Sequence, residues 1–126
     1  MTARDRRSAY RHGHFAEAAA AAWLIAKGFR LLARRYKTPL GEIDLVVKRG
    51  RLVAFVEVKA RGTLREGLEA VGPRSERRIV GAADLWLAKF PDAAGLDLRY
   101  DVIVVAPWRL PLHLPDAFRP GWSQTR

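Results

Sequence analysis

The stretch GEIDLVVKRGRLVAFVEVKAR, residues 41–61, decides the fold. Glu42 to Lys48 and Leu52 to Ala60 are rich in β-branched and aliphatic residues, with glycine between them, so they read as two strands joined by a tight hairpin. The second run is apolar except for Glu57 and Lys59, the pattern of a strand covered on both faces, which places it at the centre of a sheet. Side chains along a strand alternate faces, so Val53, Phe55, Glu57 and Lys59 share one face. Two hairpin registers fit. A turn through Gly50-Arg51, with glycine first as a type II′ turn requires, sets Asp44 directly opposite Glu57; a turn through Arg49-Gly50 sets Asp44 opposite Phe55 with Glu57 as the diagonal neighbour. In both, the two carboxylates share one face.

Outward from this hairpin the chain alternates helical and strand periodicities. Phe15, Ala18, Ala19, Ala22, Trp23 and Ala26 recur at helical spacing, and Gly28 supplies a stop, so a first helix is expected from about His14 to Lys27 with those residues as its buried face. Arg30 to Tyr36 is strand-like and the turn Thr38-Pro39-Leu40-Gly41 leads into the hairpin. Residues 62–73 read as a loop or short irregular helix. A longer helix is expected from Ser75, a plausible cap, to about Phe90, with Ile79, Ala82, Ala83, Trp86, Leu87 and Phe90 on one face; Pro91 ends it. Leu98 to Ala106 is another apolar strand, interrupted by Arg99 and Asp101, and the tail from Pro107 is expected as an extended edge or surface wrap. Helix, three strands, helix, strand makes an α/β sandwich around a mixed sheet. Residues 13–118 form one domain, residues 1–12 a flexible basic arm carrying Arg4, Arg6, Arg7 and Arg11, and residues 119–126 a C-terminal tail.

Composition narrows the chemistry. Without cysteine there is no disulfide framework, thiolate metal site or cysteine nucleophile, which suits a reducing cytoplasm. The alanine-rich stretch at 15–26 holds Glu17 and is too short to span a bilayer, so neither a signal peptide nor a membrane role is expected. Lys plus Arg number 23 against 13 Asp plus Glu, a formal charge of +10, and a polyanion is the natural partner. A basic surface selected for solubility, or arginine-biased coding, produces the same count. Arg61 and the ridge Arg74, Arg77, Arg78 at helical spacing are candidate contacts to a nucleic-acid backbone, and a solvated helix face is the alternative.

Two carboxylates buried side by side lose hydration and repel each other, a cost that a divalent cation removes. Mg²⁺ takes hard oxygen ligands, keeps several waters and binds phosphate; Mn²⁺ is a ready substitute. Lys59 is placed to neutralise charge growing on a phosphate or to orient a water. An internal ion pair, with Lys59 neutralising Glu57 or Asp44, is the structural alternative. His113 reads as packed or hydrogen-bonded, since no second histidine lies at ligand spacing. Trp86 belongs to the core, and Trp108 and Trp122 either stack on bases or cover an apolar edge.

Asp44, twelve intervening residues, then Glu57-Val58-Lys59 resembles the core of the PD-(D/E)xK nuclease superfamily, which has the restriction-endonuclease-like sandwich fold. The wording GEIDLVV and FVEVKAR, the Gly28-Phe29 stop, the arginine-rich second helix, Tyr100-Asp101-Val102 and the run from His113 to Phe118 resemble more narrowly the YraN-like family of bacterial proteins, often compared with Holliday junction resolvases. The likeness extends over roughly residues 13–118. It implies Asp44 and Glu57 as metal-binding acids, the Val58 carbonyl as a further metal ligand, Lys59 as the catalytic lysine and Glu17 as a helix glutamate joining the site. By the helical wheel Glu17 lies near Ala20 and Leu24, away from the expected buried face, so its site role rests on the resemblance alone. Where relatives tend to show Lys-Gln ahead of the arginines, this chain has Ser75-Glu76. The resemblance implies a Mg²⁺-dependent endonuclease acting on DNA ahead of RNA, with branched or structured DNA as a candidate substrate, and a homodimer as a candidate assembly. A catalytically weak nucleic-acid-binding module on the same fold is the alternative.

Overall fold

The computed structural model describes residues 3–120, with side chains from residue 13 onward. The elements run α1 (Ala3–Ala26), β1 (Arg30–Thr38), β2 (Gly41–Arg49), β3 (Leu52–Ala60), α2 (Leu64–Glu69), α3 (Pro73–Lys89), a 3-10 turn (Pro91–Gly95), β4 (Asp97–Val105) and β5 (Leu112–Phe118). The five strands lie in the order β1-β2-β3-β4-β5, so β3 is central. It pairs antiparallel with β2 and parallel with β4, and the crossover between β3 and β4 carries α2 and α3. The fold is an α/β sandwich with a mixed sheet between helices, consistent with the restriction-endonuclease-like architecture expected above.

Both faces of β3 are covered, as its unbroken apolar run requires. Phe55 meets Trp86 of α3 edge-on at 5.5 Å between ring centroids, within a cluster that includes Ile79, Ala82 and Ala83. On the opposite face Ala54 and Val56 pack with Ala20, Ala21 and Leu24 of α1. The β2–β3 hairpin adopts the Gly50-Arg51 register, with Arg49 opposite Leu52 and Gly50 at φ 61°. At the start of β2 the backbone of α3 comes so close that a Cβ on Gly41 would lie 2.2 Å from the carbonyl oxygen of Arg78. Only a residue without a side chain lets α3 lie that close to the strand bearing Asp44.

Three expectations change. Helix α1 begins at Ala3, so its backbone runs through the segment read as an arm; the side chains of Arg4, Arg6, Arg7 and Arg11 lie outside the described residues, as does Trp122. The buried face of α1 is Ala16, Ala20, Ala21 and Leu24, while Phe15 is 70% exposed and Ile25 54% exposed. Alanine lies almost all round this helix, so the wheel holds little information about which side turns inward. The sheet takes the side whose small side chains allow close approach, and Glu17 turns with it. Helix α3 starts at Pro73, with Gly72 as its N-cap, because proline at the first helical position loses no hydrogen bond there. Ser75 is therefore inside the first turn, with its hydroxyl free for a partner outside the helix.

Candidate active site

The β2–β3 ladder runs from Arg49 and Leu52 to Leu45 and Val56. Continuing it one step brings Asp44 opposite Glu57. There the Val58 amide donates to Asp44 Oδ2 at 2.7 Å, so the carboxylate is anchored across the two strands by a backbone group. Glu57 and Lys59, two residues apart on one face of β3, form an ion pair at 3.0 Å, and Lys59 Nζ also donates to Ser75 Oγ on α3 at 2.9 Å. Asp44, Glu57, Lys59 and Ser75 line an open cleft of about 560 Å³ together with Glu42, Ala70, Gly72, Pro73, Arg74 and Arg78. Strand periodicity supplies the acids and lysine, and the first turn of α3 supplies the opposite wall.

Charge in this cleft is unevenly distributed. Burial pushes the Asp44 carboxyl up to about 7; the Val58 hydrogen bond opposes the rise, and the charges of Glu57, Glu17 and Glu42 add to it. Lys59 is engaged by Glu57 and Ser75, leaving Asp44 held by an amide and surrounded by other acids. The pair of Lys59 with Glu57 is one form of the structural alternative, and Asp44 stands outside it. Glu17 does not line the cleft. It accepts from Arg35 Nε at 2.6 Å, and Arg35 also bonds His14, so Glu17 acts at Asp44 only through its charge.

The expected backbone-binding arginines divide. Arg74 and Arg78 line the cleft; Arg77 is exposed on the same helix but outside the lining, and Arg61 is exposed with its guanidinium bonded to the Ala60 carbonyl. Glu42 and Ser75 belong to the cleft and were not among the site residues expected from sequence. Glu42 carries a legible signal, because period two puts it on the same face as Asp44. Ser75 carried none, since its reach to Lys59 depends on how α3 docks.

A second buried carboxylate, Asp101, lies outside the cleft. It accepts from Arg99 Nε and Nη2 at 2.8 Å each, is 2.8 Å from His113 Nε2, and accepts from the Asp116 amide at 2.9 Å. Burial pushes its carboxyl up, but the bonds from His113, Arg99 and the Asp116 amide, with the Arg99 charge, outweigh that and hold it at about 2. His113 is thus hydrogen-bonded, as expected, and also 2.9 Å from Lys27 Nζ and edge-on to Phe29. Among the described residues no helix is long and apolar enough to cross a membrane.

The profile of the uncharacterised protein family UPF0102 matches residues 16–105, a span that holds Glu17, Asp44, Glu57, Lys59, Arg74 and Arg78. A UPF0102 protein of Mesorhizobium japonicum is 55% identical over 114 residues, covering 90% of this chain and 91% of its own. Another, from Chelativorans sp., is 57% identical over 114 residues, covering 90% and 92%, and one from Rhodopseudomonas palustris strain HaA2 is 56% identical, covering 90% and 89%. The chain belongs to the UPF0102 family.

Proposed function

We propose that this member of the family is a metal-dependent endonuclease that hydrolyses phosphodiester bonds, with DNA ahead of RNA as substrate. One observation carries the reading: Asp44 is partly buried in a cleft with Glu57 and Glu42, while the nearby lysine pairs with Glu57 and Ser75 rather than with it. A carboxylate pushed up to about 7 by burial, with neighbouring acids adding to the rise, is a place where a hard cation gains most. Mg²⁺ suits the oxygen donors of Asp44 and Glu57, with the Val58 carbonyl as a proposed third. Among the described residues no group of three or more His, Cys, Asp or Glu side chains is gathered to hold a metal, so Asp44 and Glu57 would hold the ion together with its waters. When bound, such an ion polarises the phosphate and activates water.

The chain's own residues account for the rest. The Val58 amide keeps Asp44 aimed into the cleft. Ser75 steadies Lys59 from the opposite wall, and the ammonium neutralises charge that grows on the phosphate as the bond breaks. Arg74 and Arg78 on the rim take flanking phosphates, for which the guanidinium fork is suited. The test is cleavage of a panel of branched, single-stranded and duplex DNA and RNA with and without Mg²⁺ or Mn²⁺, using Asp44→Ala as the control. Metal-dependent cutting that disappears in Asp44→Ala supports the reading; no cutting of any substrate by the wild type sinks it.

The 3.0 Å pair between Lys59 and Glu57 favours a second reading, a nucleic-acid-binding module in which that pair is structural. Binding that survives loss of metal, with no cleavage in any condition, selects it.

A further inference from the structure

The turn between β4 and β5 holds a tryptophan where backbone geometry favours glycine. Ala106 is buried at the end of β4, and the Arg109 amide donates back to its carbonyl at 3.4 Å, closing a four-residue turn over Pro107 and Trp108. Proline in the second position and a positive φ of 61° in the third make this a type II turn, whose third position is normally glycine or asparagine. An L side chain there is strained. The indole it carries is wholly in solvent, at 101% relative exposure, and Leu110 beside it is 72% exposed. Trp108 thus covers no apolar edge, in contrast to one of the two roles expected from sequence.

The turn stands at the catalytic end of the sheet. Lys59 is opposite Val104 and Ala60 opposite Val105 in the parallel ladder, and the Arg61 amide donates to the Val105 carbonyl at 3.1 Å. Trp108 is three positions on from Val105, a reach of at most about 10 Å, or about three bases at stacked spacing. Two exposed arginines belong to the same end of the sheet, Arg61 just past β3 and Arg109 in the turn itself.

We propose that Trp108 is a stacking platform for an unpaired base of the nucleic acid held at the cleft, so that the substrate class is a strand with unstacked bases. The proposal deepens the nucleic-acid reading above and rests on it. An aromatic face accepts any base but reaches it only where the base is out of the duplex, whereas arginines hold paired and unpaired backbones alike. A protein partner fits poorly: two exposed apolar side chains offer at most about 450 Å², against roughly 800 Å² per partner in a stable interface. The two arginines, on a chain of charge +10, match a phosphate backbone.

The experiment is binding, in EDTA, of wild type, Trp108→Ala and Trp108→Phe to short single strands of DNA and of RNA and to the fully paired duplexes, with anionic vesicles as a separate arm. Trp108→Ala should weaken single-strand affinity about ten- to hundredfold and change duplex affinity by less than about twofold, while Trp108→Phe keeps most of the single-strand affinity. Tryptophan fluorescence should be quenched by single strands in the wild type and less so in Trp108→Phe. Equal losses on single strand and duplex, no loss on either, or a Trp108-dependent attachment to vesicles with no strand preference would each overturn the proposal. Chelation separates this outcome from catalysis: a nuclease indifferent to Trp108 sinks the platform alone. A Trp108-dependent strand binder that never cuts supports the platform and sinks the nuclease reading. A wild type that binds no nucleic acid overturns both.

Discussion

Asp44 and Asp101 lie in the same sheet, both largely withdrawn from water, and the protein treats them in opposite ways. Asp101, 0% exposed, receives two bonds from Arg99, one contact from His113 and one from the Asp116 amide, and its carboxyl is held at about 2. Asp44 receives the Val58 amide and faces other acids, and its carboxyl is pushed up to about 7. Burial opposes the charge at both positions; the supply of donors decides the outcome. A buried carboxylate with its lone pairs occupied is a strut. Asp101 fastens β5 to β4 where the register between them shifts, next to Tyr100 and Val102. A buried carboxylate left short of positive charge is a candidate for chemistry, and Asp44 stands in an open cleft.

The largest expected effect breaks the strut. Asp101→Ala leaves Arg99 and His113 without their partner and should cost about 3–5 kcal/mol of stability, whereas Asp44→Ala should leave stability unchanged or raise it. Denaturant titration of both variants checks this, and equal destabilisation would erase the contrast. Next in size is Lys59→Ala, which should reduce metal-dependent cleavage about 10²- to 10³-fold while nucleic-acid affinity holds, because it removes one preorganised charge from the reacting phosphate. Turnover, affinity and melting temperature measured on that one variant sharpen the comparison; a lower melting temperature without any wild-type cleavage assigns the Lys59–Glu57 pair to the framework instead.

The two aspartates should also give stability opposite slopes in pH. Asp101 is held below its ordinary value of 3.8, so its contribution of about 2 kcal/mol is present above pH 3.8 and lost as pH falls from there towards about 2. Asp44 is raised above that value, so in the absence of metal its favourable protonated state is fully present below pH 3.8 and its contribution is lost as pH rises from there to about 7. Asp101→Asn should flatten the acid limb and Asp44→Asn the limb between pH 4 and 7, both read from urea midpoints across pH. Added Mg²⁺ should remove the Asp44 slope in the wild type. The smallest effect concerns the rim: Arg74→Ala or Arg78→Ala should each lower the salt slope of nucleic-acid binding by about 1, since each arginine neutralises about one phosphate. An unchanged slope in both variants places the backbone contacts elsewhere.

Legibility followed the range of the interactions. The sheet centre at Leu52–Ala60, the edge character of the tail, and the sharing of one face by Asp44, Glu57 and Lys59 were readable because strand alternation and a glycine turn are local rules that act within a few residues. The buried face of α1 was misjudged because alanine on every side leaves no amphipathic contrast, and only the sheet's demand for close approach picks Ala16, Ala20 and Leu24. The first turn of α3 was misjudged because serine and a Gly-Pro start are both acceptable helix openings, and docking against β2 at Gly41 accompanies the earlier one.

The sequence by itself determined the α/β class, the central strand and the acidic and basic groups that share its face, because periodicity and turn chemistry are properties of neighbouring residues. Tertiary structure alone decided that Arg35 binds Glu17, that Ser75 meets Lys59, that Asp101 is fully supplied with donors while Asp44 is not, and that Trp108 stands uncovered. Each of these depends on which distant segments are brought within hydrogen-bonding reach or left apart. That is set by the packing of helices on a sheet, and no local pattern records it.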